Sequence, residues 1–495
     1  MAQNKLAWTF GITTIALFMT ALDNLVVVTA LPVVQADLEA SPSELVWTVN
    51  AYTLTFAVLL LTGAALGDRF GRKRMFVIGM TIFTAASVLA ALSDGINTLI
   101  VARALQGMGA AIVTPLTLTI LAAAAPREKR GAILGAWGGI AGLAVAIGPV
   151  VGGAIVDGIS WQWIFWLNVP IGMVAIPLAL RHLNETTGPN DRLDLVGLVL
   201  SGAGLFGIVF GVVRSDTLGW GSSEVIASIL VGAILVVVFL WWENRTPEPM
   251  LPLGFFRNRA FAATNAVSVA MYFGMFGSIF LLTQYLQTVL GNSPLEAGVR
   301  MLAWTGVTMF VAPVAGAMSD RVGGRPLMAL GLALQAVALG WLAAIVTPDL
   351  GFVSLVGPFI IAGVGMGLFF APVANVVLSA VRPEEEGQAS GANNALREVG
   401  GVFGVAVLAA IFVQYGAYPS RLDPSGQPFV DGLVPALWVG TAVLAVGALI
   451  ALLIPRAARQ RDDAGVPAFA GMGSCVPQDV RHIEVAKDAV PAADV

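Results

Sequence analysis

Apolar runs long enough to cross a bilayer recur along the whole of this chain, and they fix its fold class. A crossing takes about 20 residues of helix, and about fourteen runs reach that length. They are residues 7–32, 46–67, 75–93, 98–124, 131–156, 162–181, 195–213, 225–242, 261–289, 299–318, 326–347, 352–380, 390–415 and 434–454. Inside lipid the backbone has no water to bond, so each run is expected to be helical. Of 495 residues, 57% are hydrophobic and 11% are charged, against about 25% charged in soluble domains. The chain reads as an all-α polytopic membrane protein. Its net charge of −4 decides nothing, because the placement of Lys and Arg matters more than their sum. The single cysteine, Cys475, lies in a polar tail, and the two histidines, His182 and His482, are not mid-span. No disulfide framework, metal site or cofactor is expected. Lys5 leads into a run too long for a cleavable signal.

The charges between the runs carry a repeat. Gly67–Arg74 reads Gly-Asp-Arg-Phe-Gly-Arg-Lys-Arg, and Ser319–Arg325 reads Ser-Asp-Arg-Val-Gly-Gly-Arg. Asp68-Arg69-x-Gly71 aligns with Asp320-Arg321-x-Gly323, and Ala64-x-Leu66 with Gly316-x-Met318. Two copies of a charged hairpin point to two related halves. The spacing between the copies exceeds six spans by about one helical hairpin, and residues 182–260 supply the excess. The expected plan is a first six-helix bundle over 1–181, an inserted pair of helices with linkers over 182–260, a second six-helix bundle over 261–455, and a disordered tail over 456–495. Orientation follows from the loops. With the N-terminus inside, the cytoplasmic loops hold basic residues from Arg69, Arg72, Lys73 and Arg74 to Arg382 and Arg397, and the opposite loops hold Arg214, Arg300 and Arg421. Both termini are then cytoplasmic.

Several motifs carry a family resemblance. They are Leu22-Asp23-Asn24 with Ala30-Leu31-Pro32; Leu66-Gly67-Asp68-Arg69-x-Gly71-Arg72-Lys73; Arg103-x-x-Gln106-Gly107-x-Gly109; Gly148-Pro149-x-x-Gly152-Gly153; and Trp161-x-Trp163-x-Phe165-x-x-Asn168-x-Pro170-x-Gly172. Together they resemble the major facilitator superfamily, and more narrowly its fourteen-span drug:proton antiporter group. Ala64 and Ala144 stand where the group's motifs have Gly. The resemblance implies two six-helix bundles with an inserted pair, working by alternating access in the cytoplasmic membrane. It implies a small drug-like substrate and protons as partners, the bilayer as surroundings, no nucleic acid and a monomer.

Asp23 lies mid-span, where a bare carboxylate costs about 2.5–3.5 kcal/mol on insertion scales. It is a natural proton carrier or a counter-charge for a cation, and the alternative is a structural partner for a neighbour such as Asn24. Arg103, in the fourth span, either snorkels to the surface or modulates a buried carboxylate, with Asp23 as a candidate partner. Arg397 and Glu398 read as a self-neutralising interfacial pair or, more sharply, as a second protonation site at Glu398. Glu296 and Arg300 read as a structural i, i+4 pair. The fifth span carries small residues at 131, 135, 138, 142, 146, 149 and 153, all on one helical face. That face suits close helix packing, and the exporter-like motif Gly148, Pro149, Gly152 and Gly153 also makes it a candidate moving seam.

The residues Asp68, Arg69, Gly71, Arg72, Asp320 and Arg321 are candidates for a gate. The resemblance implies that Asp68 bridges the halves, toward the helix opening near Gln388–Gly391. Candidates for the substrate cavity are Asn24, Tyr52, Gln284, Trp304, Asn375, Asn393 and Asn394, since aromatic faces and amides suit bulky amphipathic ligands. Trp161, Trp163 and Trp166 read as an interfacial aromatic belt. The function expected is proton-coupled efflux of small amphipathic compounds, cations among them. A proton-coupled uptake symporter or a non-transporting sensor on the same fold are the alternatives. An enzyme is disfavoured, because the chain has no nucleotide loop, metal cluster or nucleophile elbow.

Overall fold

A computed structural model describes residues 2–126, 130–187, 194–247, 249–382, 385–418 and 425–455. The tail over 456–495 lies outside the described residues. So do the side chains of Asp320 and of Gly131, Gly135, Gly138, Gly142 and Ala146 within their helices.

The chain is a succession of long helices. In order they are α1 (Ala2–Asp37), α2 (Pro42–Phe70), α3 (Arg72–Ala91), α4 (Ile96–Ala124), α5 (Arg130–Gly158), a short α6 (Trp163–Trp166) that continues into α7 (Asn168–His182), α8 (Leu195–Leu218), α9 (Ser223–Glu243), α10 (Arg259–Gln284), α11 (Pro294–Val322), α12 (Gly324–Ile345), α13 (Phe352–Ser379), α14 (Glu386–Tyr415) and α15 (Gln427–Ala451). Among the described residues 13 helices are long and apolar enough to cross a membrane. The 29 residues of α5 match them in length. The molecule is a multi-pass membrane protein.

The internal repeat extends to how helices start and stop. Both α2 and α11 open on a capping box, Ser41 with Glu44 and Ser293 with Glu296, with proline at the first helical turn. Each box satisfies backbone donors that the helix start leaves free. Both helices close on a glycine of positive φ, Gly71 at 102° and Gly323 at 81°, a backbone that side chains resist. Glu296 is therefore spent on its own helix cap, and Arg300 lies over the Phe352 ring at 5.0 Å. The expected Glu296–Arg300 pair is replaced by these two contacts, because a capping box pulls the carboxylate toward the N-terminus.

Helices α2, α3, α4 and α7 pack on one another, α1 packs on α5, and α10 to α15 form a second set. The two sets meet along α5–α11 and along α2–α14. The inserted α8 and α9 pack closely on each other through Gly204, Gly207, Gly211 and Gly232. The α8 helix also rests on both α2 and α14, with Phe206 5.6 Å from the Trp47 ring. The expectation of an aromatic belt fails for Trp161. It is 2% exposed, and its Nε1 donates to Asp37 Oδ2 at 2.7 Å, which draws the ring inward. Trp163 is exposed.

The first set is held tight by missing side chains. A Cβ on Gly107 would collide with the Tyr52 carbonyl, and one on Gly63 with the Ala111 carbonyl, so α2 and α4 touch backbone to backbone. A Cβ on Gly11 meets nothing. Gly107→Val is expected to cost about 1–3 kcal/mol by overpacking and to lower the melting temperature of the detergent-solubilised protein, while Gly11→Ala leaves it unchanged or slightly raised. Equal melting of all three proteins would contradict the close α2–α4 contact.

Candidate functional site

Two glycine contacts bring the polar residues of the first set together. Gly107 lets α4 lie against α2, which places Arg103, one turn earlier, and the adjoining Gln106 at the centre. A Cβ on Gly172 would collide with Thr84. That close approach of α7 to α3 brings Asn168, one turn before Gly172, up to Ser87, one turn after Thr84.

Asp23 of α1 sits at the middle of this assembly and is 2% exposed, and Arg103 is 1% exposed. Arg103 Nη1 donates to Asp23 Oδ2 at 2.5 Å. Asn168 Nδ2 donates to Asp23 Oδ1 at 2.8 Å, and Gln106 Nε2 reaches the same oxygen at 3.3 Å. Arg103 also gives Nη1 to Gln106 Oε1 at 2.9 Å and Nε to the Thr48 carbonyl at 3.3 Å. Gln106 Nε2 donates to Ser87 Oγ at 2.8 Å, and Ser87 donates onward to the Phe83 carbonyl at 2.8 Å. The Arg103 guanidinium lies 4.3 Å from the Tyr52 ring centroid and 6.0 Å from that of Phe165. Each charge thus has polar partners of the protein besides the other, which a buried ion pair needs to persist. Arg103 does not snorkel; its charge is turned inward onto Asp23. Asn24, beside Asp23, is half-buried, and its Oδ1 has no partner.

The exporter-motif glycines of α5 face two helices. A Cβ on Gly148 would press on Leu25 of α1 at 3.1 Å, and one on Gly152 would collide with Thr29. Gly153 meets the carbonyl of Pro294 on α11, and Gly298 of α11 meets the carbonyl of Pro149. Near this seam Gln287, in the π-turn that follows α10, donates Nε2 to the Thr29 carbonyl at 2.8 Å. Positions 149 and 153 belong to the small face expected from the sequence. Positions 148 and 152 make a second one, against α1.

In the second set, Glu398 of α14 is buried and its Oε2 has no hydrogen-bond partner. Its neighbour Arg397 lies 5.2 Å from the Tyr272 ring. Asn393 donates Nδ2 to Asn265 Oδ1 and to Ser268 Oγ, both at 3.0 Å. Asn394 is half-buried, and Asn375 is exposed on α13. Gln284 accepts the Tyr418 hydroxyl at 2.5 Å and donates to the Phe280 carbonyl. Trp304 is fully buried, 6.0 Å from Phe359.

On the hairpin between α2 and α3, Asp68 Oδ1 accepts from Arg72 Nε at 2.9 Å and Nη2 at 2.8 Å. Arg69 lies over Phe70 at 5.1 Å. The N-terminus of α3 is closed by Glu185, which accepts the backbone N–H of Lys73 at 2.9 Å and of Arg74 at 3.1 Å. A Cβ on Gly71 would press on that carboxylate at 2.7 Å. A carboxylate at a helix N-terminus is stabilising. At the start of α14, Gly391 faces Leu61 of α2. Before it, Arg382 bonds Glu385 and holds that carboxyl below its usual range. In the second hairpin Arg321 is exposed.

A sequence profile of the Major Facilitator Superfamily matches residues 13–405. The chain belongs to that superfamily. Among its superfamily relatives, the tetracenomycin C resistance and export protein of Streptomyces glaucescens is 33% identical over 84% of this chain and 78% of its own length. The puromycin resistance protein pur8 of Streptomyces alboniger is 33% identical over 90% of this chain and 89% of its own. A solved superfamily-like structure, a peptide transporter POT in complex with sulfate, superposes with a TM-score of 0.66 over 91% of this chain and 94% of that one. At 18% identity the likeness is one of fold.

Within this superfamily member, Asp23, Arg103 and Glu398 were the charges singled out from sequence for proton coupling, and the structure joins the first two. Gln106 and Asn168 stood in the motifs without an assigned role. Ser87 and Glu185 gave no signal at all, since a serine in an apolar helix usually bonds its own backbone. If the pair is coupled, Arg103→Ala strands a buried carboxylate and costs about 3–5 kcal/mol, and adding Asp23→Ala recovers part of the loss. A double-mutant cycle on melting in detergent checks this; strictly additive losses would show that the two charges stand alone.

Proposed function

We propose that the protein is a proton-coupled exporter of small amphipathic compounds that works by alternating access across the cytoplasmic membrane. The observation that carries this reading is the buried Asp23–Arg103 pair with its three donors on Asp23. It supplies one carboxylate whose protonation removes a charge from a dry site. The names of the relatives, which speak of resistance and export, support outward movement of drug-like molecules. Both hairpins and both termini are assigned to the cytoplasm, where positive loops are retained.

The coupling runs along α1. Six residues beyond Asp23, about 9 Å along the axis, stands Thr29, which touches Gly152 of α5 and accepts from Gln287 across the seam between the halves. A compound entering from the hairpin side shifts α1, so that the Thr29–Gly152 contact slides, the Gln287 bond breaks and the seam opens on the side opposite the hairpins. A proton taken by Asp23 from that side weakens its hold on Arg103 and lets α1 return, which closes the seam. Release of the proton toward the hairpin side re-forms the charge pair, so protons move inward as compounds move out. Glu398, buried without a donor on one oxygen, is assigned as a second protonation site. The Asp68–Arg72 pair and the second hairpin with Asp320 and Arg321 are assigned as the gate on the hairpin side. No cofactor is needed: one charge crossing 100 mV yields about 2.3 kcal/mol, enough for a gradient of roughly fifty-fold.

The test uses inverted membrane vesicles carrying the protein, energised with a proton gradient, with uptake of a fluorescent cationic dye as the readout. Wild-type uptake is expected to collapse with an uncoupler and to fall at least about tenfold in Asp23→Asn, the order of effect of losing one charge-assisted interaction. Uptake that survives the substitution would move the first proton site to Glu398. Proton-driven flux in the opposite sense would make the protein an importer.

A further inference from the structure

Tyr52 stands among the cavity candidates, but its surroundings give it a different task. It is 2% exposed, and its carbonyl lies against Gly107. Its hydroxyl donates to the Thr20 carbonyl of α1 at 3.2 Å. The backbone carbonyl and the side-chain hydroxyl are therefore both engaged within the protein. What remains is the face of the ring, and it lies 4.3 Å from the Arg103 guanidinium carbon. Phe165 is farther from the same cation, at 6.0 Å. Phe56 stacks on the Tyr52 ring at 6.1 Å.

The edges and the face of Arg103 are served differently. Its Nη1 donates to Asp23 and Gln106, and its Nε to the Thr48 carbonyl. A flat cation in a dry site also needs something over its face, and an aromatic quadrupole is the group that attracts it there. The charged groups in electrostatic range of Tyr52, among the described residues, are Asp23 on α1, Arg103 on α4 and Glu398 on α14. Asp23 has Arg103 as its only ion-pair partner among those residues. Whatever fixes the position of Arg103 therefore fixes how strongly Asp23 holds its negative charge.

We propose that the ring of Tyr52, and not its hydroxyl, is a positioning element: its π face holds the Arg103 guanidinium against Asp23 and so sets the pH at which Asp23 takes its proton. The inference rests on Asp23 being the proton site. It removes Tyr52 from the substrate cavity and predicts that the ring acts through its electrons rather than its shape.

The experiment replaces Tyr52 by phenylalanine and then by mono-, di- and trifluorinated phenylalanines, which keep the shape of the ring and withdraw its π density stepwise. Two readouts are taken in the full-length protein. One is the pH midpoint of proton-driven dye uptake in inverted vesicles. The other is the Asp23-dependent proton binding of purified protein in detergent, measured as wild type minus Asp23→Asn, which requires no substrate. Tyr52→Phe is expected to keep the wild-type midpoint. The fluorinated series is expected to move it stepwise to higher pH by roughly half a unit or more in all, since a loosened Arg103 shields the carboxylate less. A flat series overturns the proposal. So does a Tyr52→Phe midpoint displaced as far as that of the trifluorinated ring, which would make the hydroxyl responsible. A stepwise shift in detergent with no proton-driven flux in vesicles supports the proposal and refutes export. A wild type with no Asp23-dependent proton overturns the proposal whatever the flux.

Discussion

A carboxylate and a guanidinium buried together in a helical membrane protein have no water to fall back on, and the first half of this molecule is organised by that fact. Removing two charges from water costs several kcal/mol per ion, recovered only with good geometry and with every remaining lone pair and proton satisfied. Asp23 needs donors besides Arg103 and finds them on α4 and α7; Arg103 needs acceptors besides Asp23 and finds them on α2 and α4. One ion pair thus specifies how α1, α2, α4 and α7 sit, and α3 joins through Ser87. An exchange of charge at such a point cannot stay local, because every donor that serves the carboxylate belongs to a different helix or to the partner's own helix.

Close packing without side chains is the complementary device. Lipid offers helices no hydrophobic reward for association, so contact surface and small residues do the work. Gly107, Gly172, Gly152 and Gly153 each permit a contact that a methyl group would prevent. Two of them set the ion-pair site, and two line the seam on which α1 and α11 meet α5. The same residue type therefore serves the interior of the first set and the seam between the two sets. The difference lies in what surrounds it: a satisfied polar network in one case, and bare backbone and short side chains in the other.

How far the sequence could be read follows from how conspicuous each residue is against an apolar background. Helical spans, their number and the duplicated hairpin were plain, because charge in an oily chain stands out. Asp23 and Arg103 were visible for the same reason, although their contact was not. The capping boxes at Ser41 and Ser293 repeat in step with the hairpins and were available to a closer comparison of the halves. Amides and aromatics were another matter. Gln284, Trp304 and Asn375 were grouped with Tyr52 as cavity residues from their type alone, and the sequence did not show that Gln284 bonds Tyr418, that Trp304 packs on Phe359 or that Asn375 is exposed. A polar residue in a span announces that it needs a partner, but not in which direction; that depends on the rotation of its helix, which tertiary packing decides. Trp161 was misread through the same gap, since it turned to the distant Asp37, whereas Glu296 was misread locally, since it bonds the Ser293 cap three residues before it rather than Arg300 four residues after.

The position of α8 has a consequence for how the molecule faces the bilayer. The halves meet along two lines, α2–α14 and α5–α11, and α8 with its partner α9 lies over the first of them. The second has α1 against both of its helices and no contact with the inserted pair among those seen. The inserted pair thus makes two otherwise comparable lines of contact unlike each other, and the molecule presents the bilayer with two different flanks.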